Sequence, residues 1–171
     1  MLSKSTLVLC DTCVIIGAFG TDSWPALVSG YDIVVSQTII AETLWYPDNN
    51  GRKRAINLTP YVAGGKIKVI DPPVSELVKF ASEFDISYAE RMDPGELSLL
   101  CFLFSQSAQE ILICSGDEIV FKVLGRHRRS AQGISLEELL QKTGFNKPLR
   151  DQFKKDFREN CSSKGFTDSF S

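Results

Sequence analysis

The stretch that most limits what this chain can become is TLVLCDTCVIIGAF, residues 6–19. An apolar run, Leu7-Val8-Leu9, ends on Asp11, passes through Thr12 and continues as a second apolar run. This pattern reads as a buried parallel strand that delivers an acid to its C-terminal edge and then turns at once into a helix. In open α/β sheets that edge is where ligands bind. A carboxylate there, flanked by Leu9 and Val14, is costly unless something neutralises it.

The rest of the chain repeats the strand-then-helix theme. Tyr31–Val35, Lys66–Ile70 and Glu110–Cys114 read as further strands, with a short one near Gly133-Ile134. Helices are expected over Val14–Phe19, after Asp22-Ser23, over Gln37–Tyr46, over Arg52–Val62, and from Pro72-Pro73 to about Phe84. Asp93-Pro94-Gly95-Glu96 is a strong helix start, with an N-cap, a proline at the first turn and a capping-box glutamate. The helix it opens, LSLLCFLF, is apolar almost all round and should cross the core. Another helix follows Asp117, and Ser135-Leu136-Glu137-Glu138 is a second capping-box start. Strands alternating with helices argue for an α/β protein: a three-layer α/β/α arrangement around a central parallel sheet of four to five strands. A main domain over residues 1–145 is expected, with a helical extension over 146–160 and a flexible tail over 161–171.

Bulk composition sets outer limits. A net charge of −2 gives no global basic field, so any attraction to nucleic acid must be local. No apolar run approaches the roughly 18 residues of a membrane span. The N-terminal run lacks the features of a signal peptide, and the expectation is a cytoplasmic chain with no membrane partner. Of the five cysteines, Cys101 and Cys114 sit in apolar runs as core fillers. Cys10 and Cys13 form a C-x-x-C at a strand-to-helix turn; near-core thiols, a redox pair and a zinc half-site are the alternatives, in that order.

Four carboxylates recur at related addresses: Asp11 at the end of the first strand, Glu42 in the helix after the second, Glu96 at the head of the core helix, and Asp117 after the fourth strand. Each has a plain alternative use, as a helix cap for Asp11, Glu96 and Asp117 or as an exposed helix residue for Glu42. Together they would repel one another unless cations intervened, and hard ions such as Mg²⁺ or Mn²⁺ prefer such oxygen ligands. An ion of that kind, held by acids and water, suits phosphodiester hydrolysis.

In LVLCDTCVII, IVVSQTIIAETL, DPGELSLL, ILICSGDEIVFKVL and GISLEELL the chain resembles the PIN domain, a metal-dependent ribonuclease fold found in toxins of toxin–antitoxin pairs, ribosomal-RNA processing factors and RNA-decay nucleases. The resemblance spans about residues 6–142. It implies hydrolysis of single-stranded RNA, with Asp11, Glu42, Glu96 and Asp117 as catalytic ligands of one or two Mg²⁺ or Mn²⁺ ions. Thr12 and Ser115 would orient carboxylates or touch the scissile phosphate. The further acid that many members carry beyond the fourth has only Glu118 as a counterpart. An antitoxin-like protein partner and a homodimer are further implications.

Arg126, Arg128 and Arg129, in the run RHRR, would contact RNA phosphates, with a solvated turn as the alternative. Arg52, Lys53 and Arg54 form a second candidate patch. Trp45 could stack on a base, although core packing is its more ordinary use. His127 is not needed as a base. A phosphatase of the haloacid-dehalogenase type would need an acid at position 13, which is Cys, and there is no P-loop. The competing reading is a catalytically silent PIN-like module that binds RNA or protein without cutting.

Overall fold

The computed structural model describes residues 6–107 and 110–171; the first five residues of the N-terminal run, and two just before the fourth expected strand, lie outside the described residues. In chain order the elements are β1 (Leu7–Cys10), α1 (Thr12–Gly20), α2 (Trp24–Gly30), β2 (Asp32–Ser36), α3 (Gln37–Glu42), β3 (Trp45–Pro47) and β4 (Lys53–Ala55). They continue with α4 (Thr59–Ala63), β5 (Ile67–Ile70), α5 (Val74–Ser82), α6 (Ile86–Ala89), α7 (Pro94–Ser105) and β6 (Ile111–Cys114). The chain closes with α8 (Glu118–Arg126), β7 (Gly133–Ile134), α9 (Leu136–Lys142) and α10 (Lys155–Asp168).

Five of the strands form one parallel sheet in the order β5-β2-β1-β6-β7. Val8, Leu9 and Cys10 of β1, Ile33, Val34 and Val35 of β2, and Ile113 and Cys114 of β6 are buried, so the central strands are covered on both faces. That is why they read as continuous apolar runs rather than alternating ones. Helices flank the sheet as a three-layer α/β/α fold. The chain first builds outward from β1 through β2 to β5, then returns to the other side of β1 as β6. The order therefore reverses between β1 and β6, and the crevice outside their C-terminal ends is the topological switch point. Among the described residues no helix is long and apolar enough to cross a membrane.

Local signals account for most of these elements. Ser36 and Ser135 accept from the third residue of the helices they cap, and Ser135 completes a capping box with Glu138. The core helix α7 buries Leu99, Leu100, Cys101 and Leu103.

Three expectations are corrected. The helix expected over Arg52–Val62 is replaced by an antiparallel hairpin, β3 with β4, followed by the short α4. Asp48-Asn-Asn-Gly is the hairpin turn and not merely a helix stop: the Asp48 carboxylate accepts from the amides of Asn50 and Arg52 at 2.9 Å each, and Gly51 takes φ +73°. The helix expected to Tyr46 accordingly ends at Glu42, and Tyr46 packs on the Phe19 ring instead.

The third correction concerns the C-terminus. Of the helical extension expected over 146–160, only residues from Lys155 on are α-helix, after irregular chain and a short 3-10 turn at Asp151–Phe153. That helix, α10, runs on through the expected tail to Asp168 and packs along α8. The sequence SSKGF looks loose because it lacks helical periodicity and good helix formers. What holds it is close approach. A β-carbon on Gly125 would lie 1.9 Å from the Ser162 carbonyl oxygen, and one on Gly165 would lie 2.0 Å from that of Lys122. Asp168 accepts from the Tyr88 hydroxyl at 2.6 Å and pairs with Lys122, and Arg158 grips Glu138 with two nitrogens at 2.8 and 2.9 Å.

Gly165→Ala should therefore force α10 off α8 and lower unfolding stability by about 1–3 kcal/mol, the usual cost of overpacking. Urea denaturation of the two proteins measures it; an unchanged midpoint would mean that this helix contact is not tight.

Candidate functional site

The site begins with strand register. Cys10 of β1 lies beside Cys114 of β6, so the residues that follow them, Asp11 and Ser115, leave the sheet side by side. Ser115 donates its hydroxyl to Asp11 Oδ2 in a short hydrogen bond, and the Asp117 amide donates back to Ser115 Oγ at 2.9 Å. The other oxygen of Asp11 caps α1 through the Val14 amide at 3.0 Å and accepts the Cys13 thiol at 2.9 Å. Asp11 thus caps α1 with one oxygen and holds the β6 loop with the other.

A cleft of about 240 Å³ opens above this pair, with Asp11, Thr12, Glu42, Asp93, Glu96 and Asp117 among its lining residues. All four acids singled out in the sequence reach it. Asp11 and Glu96 are buried at 4 % exposure each and form the floor; Glu42, Asp93 and Asp117 are exposed on the rim. Glu42 is steadied by the Thr12 hydroxyl at 3.2 Å. Glu96 also completes the capping box, accepting from the Asp93 amide at 3.2 Å. Asp117 occupies the N-cap position of α8 without making a side-chain cap, which leaves its carboxylate free to face the cleft.

Electrostatics follow from this crowding. Burial pushes Glu96 up to about 9, helped by the Asp117 and Asp93 carboxylates beside it, while the Asp93 amide acts weakly in the other direction. Burial likewise raises Asp11, and the nearby Asp117 adds to it, against hydrogen bonds from Cys13, Ser115 and Val14. The lining includes no Lys, Arg or His among the described residues. Equally, among the described residues no three His, Cys, Asp or Glu side chains stand together as a ready-made metal cage.

Two residues of the cleft escaped the sequence reading. Asp93 was given only a capping role, yet its carboxylate is a fifth acid at the rim; its three-residue spacing from Glu96 on one helix start was the available signal. Cys13 also lines the cleft. Burial and the adjacent Asp11 raise its thiol well above normal, so it sits there as a protonated donor, unlike a redox thiolate. All five cysteines are free.

The candidate substrate residues fare differently. Thr12 lines the cleft, whereas Ser115 is wholly buried, donates to Asp11 and is not among the residues lining the cleft. Arg126, Arg128 and Arg129 lie at the far end of α8 from Asp117, about 13 Å of helix rise away. Arg126 is paired with Asp85 at 2.7 Å and packs over Tyr88. Arg129 donates to the Leu103 carbonyl and stacks on Phe104; only Arg128 is fully exposed. The structure thus sets these arginines apart from the acids, because α8 carries them away from the end of the sheet at which Asp11 and Asp117 lie. Glu118, the adjacent acid, is taken up by Arg91 and Lys164. Trp45, in contrast, is 43 % exposed on the hairpin, with the Lys53 ammonium 4.3 Å from its ring centre, and is not core.

Comparison of the chain with protein-family models, curated proteins and solved structures gives no match, which leaves the geometry of the cleft to speak for its chemistry.

Because Glu96 holds its proton to higher pH when folded than when unfolded, the folded state binds more protons across the neutral range and stability falls as pH rises. Glu96→Gln removes that term. In chelator, the variant should become progressively more stable than wild type between about pH 5 and pH 8. Denaturant midpoints across that range test it, and parallel curves would place the Glu96 carboxylate in water.

Proposed function

We propose that this chain is a metal-dependent nuclease of the PIN kind that hydrolyses single-stranded RNA, with Asp11, Glu42, Glu96 and Asp117 holding Mg²⁺ or Mn²⁺. The observation that carries this reading is the cleft itself: acids from four separate segments share one concavity at the switch point, with no basic side chain among the described residues that line it. Helix capping accounts for Asp11, Asp93 and Glu96 singly, but not for Glu42 and Asp117 facing the same cleft. The donor chemistry fits a hard dication, since every acidic oxygen offered is a carboxylate oxygen. Asp93 joins the four as a rim acid able to bind through water.

Such an ion, when bound, lowers the pKa of water and offsets charge on a phosphate. The chain's own residues set the stage for it. Ser115 and the Cys13 thiol fix the Asp11 carboxylate, and Thr12 turns Glu42 toward the cleft. A cation held beside Glu96 would favour its charged form, countering the burial and the Asp117 and Asp93 charges that raise its pKa. Trp45 with Lys53 on the hairpin supplies an exposed ring and cation suited to an unstacked base. Five free cysteines suit the cytoplasm, where we place the protein. A toxin role, an antitoxin-like protein partner and a homodimer remain part of the proposal through the same resemblance.

One observation favours the second reading, a PIN-like module that binds RNA or protein without cutting. Among the described residues the carboxylates do not already converge as a three-ligand cage, and both Asp11 oxygens are engaged by the protein.

Calorimetry with Mn²⁺ and cleavage of end-labelled single-stranded RNA separate the two. A nuclease binds the ion and cuts only in its presence; Asp117→Asn abolishes cutting while circular dichroism stays native. Ser115→Ala, which frees Asp11, should weaken metal binding or activity about 10- to 100-fold. RNA retention without any metal-dependent cutting would support the silent module.

A further inference from the structure

A second and larger cavity, about 540 Å³, lies next to the acidic cleft and shares Cys13 and Ile16 with it. Its walls come from α1, from the hairpin turn (Pro47, Asn49) and from residues 148–153, with Arg150 and Gln152 contributing polar heads. Its size falls within the range of about 300–1,000 Å³ common to small-ligand sites.

The wall formed by residues 148–153 is anchored. Phe153 is buried against two glycines: a β-carbon on Gly17 would lie 2.9 Å from its ring, and one on Gly116 would lie 2.8 Å from it. Gly116 is the residue between Ser115 and Asp117, so the anchor bears directly on the acidic loop. Among the described residues lining the cavity the one carboxylate is Asp48, on the hairpin, and it is consumed by the Asn50 and Arg52 amides and by Arg54 at 2.9 Å. Arg150 is exposed at the rim. The cavity therefore offers apolar faces (Ile16, Pro47), neutral amides (Asn49, Gln152) and a cation, in line with a cleft suited to a phosphodiester.

We infer that this cavity is a nucleotide subsite, which seats the RNA nucleotide flanking the scissile phosphate, its base against Ile16 and Pro47 and its phosphate on Arg150. This inference rests on the nuclease reading and extends it: the strand's direction past the acids is set by the C-terminal segment 148–153. Continuity through Cys13 and Ile16 makes the flanking nucleotide the natural occupant, because a strand crossing the acidic cleft enters this cavity next.

Two measurements on the full chain test it. Titration of the ¹⁵N-labelled protein with adenosine and uridine 5′-monophosphates, without metal, should shift the amides of Gly17 and Gly20 and the side-chain amides of Asn49 and Gln152; Arg150→Ala should abolish those shifts. In Mn²⁺-dependent RNA cleavage, Arg150→Ala should raise KM about tenfold with kcat unchanged, the pattern of a lost phosphate contact. Arg150→Lys should recover part of the loss. Unchanged shifts and KM in Arg150→Ala, or shifts confined to another surface, would overturn the subsite while RNA cutting kept the nuclease reading intact. Shifts at this cavity that depend on Arg150, in a chain that cuts no RNA, would support a nucleotide site and remove the nuclease reading.

Discussion

The structure depends on one buried carboxylate. Asp11 leaves β1 at 4 % exposure among apolar neighbours, where an unpartnered charge would be prohibitive. It is tolerable because β6 runs parallel to β1 in a register that sets Ser115 beside it, and because α1 begins at once and offers the Val14 amide. Strand pairing, helix capping and site assembly are thus a single event. Losing the Ser115 partner would affect the sheet edge and the cleft together.

Around that point the fold accumulates negative charge in a graded way. The floor acids, Asp11 and Glu96, are shielded from water and resist ionisation; the rim acids, Glu42, Asp93 and Asp117, face solvent. Such a cleft holds its charge in reserve. The same burial that penalises these carboxylates would strengthen their attraction to a positive charge. This property distinguishes the cleft from a set of helix caps, even though Asp11 and Glu96 also act as caps.

The periphery is built to frame the cleft. The Trp45–Ala55 hairpin packs on α1 through Tyr46 and Phe19, and the 148–153 segment locks onto Gly17 and Gly116 through Phe153. Beyond it, α10 lies against α8, the helix that starts at Asp117. The C-terminal region therefore braces the acidic loop from outside. Meanwhile α8 carries Arg126, Arg128 and Arg129 away from Asp117, while Arg150 lines the cavity that adjoins the acidic cleft.

The sequence alone was enough to determine the layered α/β fold and to single out the four acids. Those features are written in local code: apolar runs of strand length, Ser and Asp caps, the Asp93-Pro94 helix start. The tertiary structure alone decided the rest, including that β1 and β6 are neighbours and that the acids line one cleft beyond them. Residues 45–55 became a hairpin because Asp48 and Gly51 close a turn and Trp45 finds Lys53 across it, contacts that no helical periodicity registers. Residues 161–168 became helix because Gly125 and Gly165 let two backbones touch, and Asp93 became a fifth cleft acid because α7 points its first turn at the end of β1. Local preference acts within a few residues of chain; these outcomes turn on surfaces that meet only after the chain has folded.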